Sequence, residues 1–220
     1  MSMTPLRAIS SLRYATLGVA PPSLSRRQVL AFPRYAHSSA PPGESVALPS
    51  TESATPLIDA RNVLLKAGFD PASFREQQIV WGDQDPFQHV NNVRYARFFE
   101  SARIQWMMSI GKEWGGPAQA DKMIRGQGVS LILKTMEIQF RRPVTYPDTL
   151  LIGYAPLPPS SEDDTSFQVV ASAYSLGTGA FVTHSKETLV WYNYDELRKC
   201  SPPKEVADIV ASRRLKPAES

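Results

Sequence analysis

Between residues 92 and 111 the chain sets apolar side chains at Tyr95, Phe98, Phe99, Ala102, Trp106 and Ile110. Steps of three and four bring all six to one face of a 3.6-residue repeat, which predicts a long α-helix. Its polar positions Arg94, Arg97, Ser101 and Gln105 leave one narrow wet strip, so the helix is expected to be largely enclosed. Asn91 or Asn92 suits its N-cap, because an amide oxygen can accept the free backbone N–H bonds there. Upstream, residues 77–81 read as a short strand, and residues 58–67 as a short helix stopped by Gly68. On the long helix, Glu100 and Arg103 stand at the spacing of a surface pair.

Beyond this helix the period changes. Residues 111–128, with their glycines and Pro117, read as a long connection. Val129, Leu131 and Leu133 then alternate, and Met136, Ile138 and Phe140 alternate in the opposite phase, which predicts a bulge near Lys134 and Thr135. Leu150, Ile152 and Tyr154 mark the next strand. Phe167, Val169, Ala171 and Ala173 mark another, after a loop over 156–164. Gly177-Thr178-Gly179 suits a hairpin turn into a last long strand over 181–192. The class is therefore α+β, with antiparallel strands and one buried helix. Trp81, Trp106, Trp191 and Tyr192 are expected in the core or at a subunit contact.

The chemistry concentrates at the entrance to the long helix, in Asp83-Gln84-Asp85-Pro86-Phe87-Gln88-His89-Val90-Asn91-Asn92. A carboxylate can act on a carbonyl carbon as nucleophile or as base toward water, and the helix N-terminus can polarise the carbonyl oxygen. Asp85 is the candidate for the first role; its plainer reading is an Asp-Pro turn residue that caps its own loop. Asp83 reads as a loop-ordering group. His89 can orient water or the loop, or simply pack. Asn91 and Asn92 aim the helix end, and Tyr95 lies one turn inside. Arg141 and Arg142, just before Pro143, suit either phosphate contact or a solvated strand end. His184 has no acid at catalytic spacing and reads as a packed or surface histidine.

This stretch, with Phe98-Phe99-Glu100-Ser101-Ala102-Arg103 after it, resembles the hotdog-fold acyl-CoA thioesterases of the 4-hydroxybenzoyl-CoA thioesterase type. The resemblance continues through residues 137–144, 148–150 and 186–191, and Pro202 to Val206 fits the start of a last helix. It implies a hotdog fold, an antiparallel sheet wrapped around one long central helix, over residues 57–215. It further implies catalysis by Asp85 with His89, positioning by Asn91, Asn92 and Tyr95, a coenzyme A phosphate contact at Arg141 and Arg142, and no metal or organic cofactor. A homodimer or homotetramer with sites shared between subunits belongs to the same expectation. One departure stands out: Gln88 occupies a position where many members carry Gly, and a side chain there is expected to narrow the approach of the carbonyl. Two other readings use the same fold, a non-catalytic assembly or ribosome-associated subunit and a hydratase or dehydratase.

Composition changes the picture at the N-terminus. Residues 1–43 hold five Arg, seven Ser and no Asp, Glu or Lys, which resembles a mitochondrial transit peptide and predicts import into the matrix. A plain unstructured tail is the alternative. Residues 44–56 read as a Pro/Ser/Thr linker. Removing the first 43 residues takes five charges from a formal +3 and leaves −2, so the basic balance gives no argument for nucleic acid. The single Cys200 allows no internal disulfide and reads as a loop thiol. No apolar run is long enough to span a membrane. Gly-rich phosphate loops, a Gly-x-Ser-x-Gly elbow and a His-Glu-x-x-His metal motif are all missing from the sequence.

Overall fold

The computed structural model describes residues 55–159 and 163–215. The expected transit peptide and linker lie outside the described residues. The elements run α1 (Thr55–Lys66), β1 (Asp70–Ile79), α2 (Asn92–Ile124), β2 (Val129–Phe140), β3 (Asp148–Pro156), β4 (Ser166–Ser175), β5 (Ala180–Asn193), β6 (Arg198–Lys199) and α3 (Lys204–Ser212). All strand pairs are antiparallel, in the order β1-β3-β4-β5-β2 with β6 beside β5. The sheet curls around α2, which is the hotdog arrangement.

The apolar stripe of α2 explains the wrap. Tyr95, Phe98, Phe99, Ala102, Trp106 and Ile110 are all buried, against Leu150, Ile152, Val169, Ala171 and Leu189 of the strands. The register of β2 on β5 slips between Leu133 and Thr135, where the two alternations change phase, and the irregularity lets the strand bend. A second apolar cluster sits elsewhere on the sheet: Ala60 and Leu64 of α1 pack with Phe69, Phe74, Leu151 and Ala155. Gly68, at φ 85, lets the chain leave α1, with Gly68 N–H and Phe69 N–H donating to the carbonyls of Leu65 and Leu64.

Three expectations need correction, at the strand before the long helix, the connection after it and Arg103. The strand before the long helix does not span 77–81; it runs from Asp70 to Ile79 on the sheet edge, where polar side chains meet water. The expected connection over 111–128 is mostly helix. α2 continues to Ile124 through a kink at Gly115 and Gly116, where φ 76 at Gly116 breaks the helical path and Pro117 starts the second piece. Of the tryptophans, Trp106 and Trp191 are core, whereas Trp81 is 75% exposed and the core is excluded for it. Arg103 does not pair with Glu100, which faces solvent; it turns inward to Glu187 of β5 at 2.8 Å. Among the described residues, no helix is long and apolar enough to cross a membrane.

Candidate active site

The loop between β1 and α2 is tied at both ends. Asp83 is buried: its Oδ2 accepts Val80 N–H at 3.0 Å, its carbonyl accepts Asn91 N–H at 2.9 Å, and Arg94 Nε lies 3.6 Å from Oδ1. It orders the loop, as its position suggested. Gln84 and Val90 then form a β-bridge, and Val90 N–H reaches the carbonyl of Val144 at 2.8 Å. Between them the chain reverses tightly. Asp85 N–H donates to the His89 carbonyl at 3.1 Å, and Gln88 N–H donates to the Asp85 carbonyl at 2.9 Å.

Pro86 presets the second position of that reversal, and Gln88 takes φ 64 at its end. The departure at Gln88 is therefore a matter of backbone. Its side chain is exposed and does not line the cleft described below. A glycine fits there because positive φ costs it nothing, whereas a residue with a Cβ is strained by about 1 kcal/mol. Gln88→Gly is accordingly expected to raise the melting temperature by a few degrees, read in a thermal unfolding scan. An unchanged or lower value would refute the strain.

α2 begins with its cap. Asn91 Oδ1 accepts Val93 N–H at 3.0 Å, and the Asn91 carbonyl accepts Arg94 N–H at 2.9 Å. The first N–H of the helix, that of Asn92, has no partner among the described residues. Beside it opens a cleft of about 300 Å³ lined by His89, Asn92, Tyr95, Phe140, Arg141 and Arg142, with Val90 and Pro143. Five of the seven sequence-chosen residues thus meet in one place, brought from α2 and from the end of β2.

Each plays a different part there. The His89 ring stacks on Phe87 with centroids 6.3 Å apart, and its Nδ1 lies 3.3 Å from the Val90 carbonyl. If that nitrogen carries the proton, Nε2 is left as an acceptor. Tyr95 is buried edge-on to Phe98 and Phe140, and burial pushes its phenol up to about 12, so it is a neutral donor rather than a base. Arg141 and Arg142 are exposed; Arg141 Nη2 donates to Gln139 Oε1 at 3.1 Å. Asn91 stands behind as the cap.

Asp85 does not line the cleft. Half-buried on the preceding turn, it accepts Phe87 N–H through Oδ1 at 2.9 Å. That bond is the local turn its plainer reading called for, and it uses only one of the two carboxylate oxygens. Sequence reasoning missed Phe140, whose place at the strand end gave it no sign of a cleft wall. His184 is half-buried, with Nδ1 2.7 Å from Ser172 Oγ, and burial, then the Arg141 charge, lower its pKa. No group of three or more His, Cys, Asp or Glu gathers among the described residues to hold a metal.

A buried helix inside a curled antiparallel sheet, with an open cleft at the helix N-terminus, defines the hotdog class. The chain belongs to the thioesterase-like superfamily, which it matches over residues 79–210. Solved structures share the fold. A Pseudomonas aeruginosa protein is 21% identical with a TM-score of 0.54, covering 65% of this chain and 92% of its own. A Staphylococcus aureus protein solved in complex with CoA is 9% identical at a TM-score of 0.55, covering 69% and 90%. A 1,4-dihydroxy-2-naphthoyl-CoA thioesterase from Synechocystis is 16% identical at 0.50, covering 63% and 94%. No curated protein sequence matches the chain.

Proposed function

We propose that this chain hydrolyses an acyl-CoA, or a related thioester, to the free acid and thiol in the manner of the 4-hydroxybenzoyl-CoA thioesterase type. The observation that carries the reading is the capped start of α2, where Asn92, whose N–H has no partner among the described residues, lines one cleft with His89 and two arginines. A thioester carbonyl placed against that N–H gains a donor and the positive end of the helix as its oxygen takes on charge. Asp85, on the turn that leads into the cleft rather than in its wall, is the carboxylate we assign to the attack, as base for water or as nucleophile, with His89 orienting the loop or the water. Tyr95 forms the floor, and Arg141 and Arg142 meet the phosphates of coenzyme A. Release of free thiol from acyl-CoA tests the reaction. Hydration of an enoyl-CoA without thiol release would favour a hydratase, and binding without turnover would favour a non-catalytic subunit.

The proposed unit is a homodimer or homotetramer. Around the helix start Trp81, Phe87 and Val93 are 75, 80 and 77% exposed, a set of apolar side chains that a second copy would cover. Light scattering on the purified protein should give at least twice the monomer mass, and a monomer that turns over substrate would contradict shared sites. The proposed location is the mitochondrial matrix, after removal of roughly the first 36–43 residues. Mass spectrometry of the protein from its own cells should find the new N-terminus there; an intact Met1 on the active pool would count against import.

A further inference from the structure

The polar centre of the core lies where α2 meets β5. Glu187, with no exposed surface, accepts three hydrogen bonds: from Arg103 Nη1 on α2 at 2.8 Å, from the Tyr154 hydroxyl on β3 at 2.8 Å, and from Ser185 Oγ at 3.1 Å. The same Tyr154 hydroxyl lies 2.9 Å from the carbonyl of Phe99, one helical turn before Arg103. Burial, reinforced by the Glu187 charge, holds the phenol well above its usual pKa, so it remains protonated and its single proton is shared between the two acceptors. Two points of α2, four residues apart, thus converge on one carboxylate.

Such a pair contributes little stability relative to apolar side chains of the same size, because removing both charges from water offsets their attraction. What it adds is direction. Apolar faces remain in contact when a helix slides by a fraction of a residue, whereas a bond of 2.8 Å tolerates only a few tenths of an ångström. Arg103 is eleven residues from Asn92, roughly 16 Å along the axis at 1.5 Å each, and the kink lies beyond it. A shift at Arg103 is therefore carried to the Asn92 N–H. Glu187 also fixes the other wall: four residues before it, Thr183 pairs with Phe140 at the end of β2. Of the other buried side-chain ties of α2, Trp106 Nε1 to Asp70 Oδ2 at 2.9 Å reaches the opposite edge of the sheet, and Ser130 Oγ of β2 meets the Met123 carbonyl at 2.8 Å beyond the kink, so neither sets this distance.

We propose that Arg103 and Glu187 are positioning residues that hold the Asn92 N–H at its working height against the β2–β5 wall, an inference that rests on the thioesterase reading above. The test compares the wild-type chain with the Arg103→Met/Glu187→Leu double variant and with Arg103→Lys, by acyl-CoA kinetics, thermal unfolding and the amide NMR signal of Asn92. The double variant is expected to fold with a melting temperature within several degrees of wild type, to move the Asn92 signal, and to lower kcat at least about tenfold with KM within about threefold. Arg103→Lys, which keeps the charge, is expected to recover most of kcat. An unmoved Asn92 signal with unchanged kcat would overturn the proposal. A double variant that does not fold would also overturn it, since the pair would then be structural. If the wild type releases no thiol from any acyl-CoA, the thioesterase reading fails by itself, and the Asn92 signal alone decides whether the pair positions the helix end.

Discussion

Asp85→Asn is expected to lower kcat for thioester hydrolysis by about a hundredfold or more, equivalent to about 2.7 kcal/mol of transition-state stabilisation, while the protein stays folded. The amide keeps the size of the side chain, and its oxygen can still accept the Phe87 N–H that organises the turn. What it loses is the charge on the second oxygen, which makes the group a base or a nucleophile. KM should change little, because the loss falls on a step after binding. Asp83→Asn is the matched control. Asp83 is bonded to Val80 N–H and lies beside Arg94, so its replacement should lower the melting temperature more than kcat. Equal losses of kcat from the two variants would assign the chemistry to the wrong carboxylate.

The largest effect on stability is expected at Glu187. Glu187→Ala removes the acceptor of three hydrogen bonds and leaves the Arg103 guanidinium, itself only 7% exposed, as an uncompensated buried charge. Breaking a buried pair from one side costs about 3–5 kcal/mol. Against a total of about 5–15 kcal/mol for a domain, this is enough to leave the chain partly unfolded near 37 °C. Urea unfolding should show the midpoint displaced accordingly. A midpoint equal to wild type would mean that water reaches Arg103 and replaces the carboxylate. The contrast with the doubly apolar variant, expected to stay folded, separates the cost of an orphaned charge from the worth of the pair.

How much of this was legible in the sequence depended on how local the cause was. The stripe from Tyr95 to Ile110 announced the central helix because burial on one face imposes its period directly. The phase change at Lys134 and Thr135 announced the irregularity of β2 for the same reason. Residues 112–124 do not read as helix because Gly115, Gly116 and Pro117 are helix breakers, whereas the chain uses them to bend and restart. Only the end of β1 is legible, since an edge strand can be polar on its open side, and Asp70 to Gln78 lack an alternating apolar signal. Cleft membership was legible for His89, Asn92, Tyr95, Arg141 and Arg142, which flank the motif and a strand end. The inward turn of Arg103 was not. A rule of three-residue spacing offered Glu100, whereas the partner is 84 residues away and is chosen only when β5 folds across α2.

The most direct measurement is the release of free thiol when the purified chain is mixed with a panel of acyl-CoAs of different chain length and aromatic character, run beside Asp85→Asn. The expected result is saturable release from at least one of them, reduced at least about a hundredfold in the variant. Release by Asp85→Asn at the wild-type rate, or no release from any acyl-CoA by a folded wild-type protein, would contradict the account.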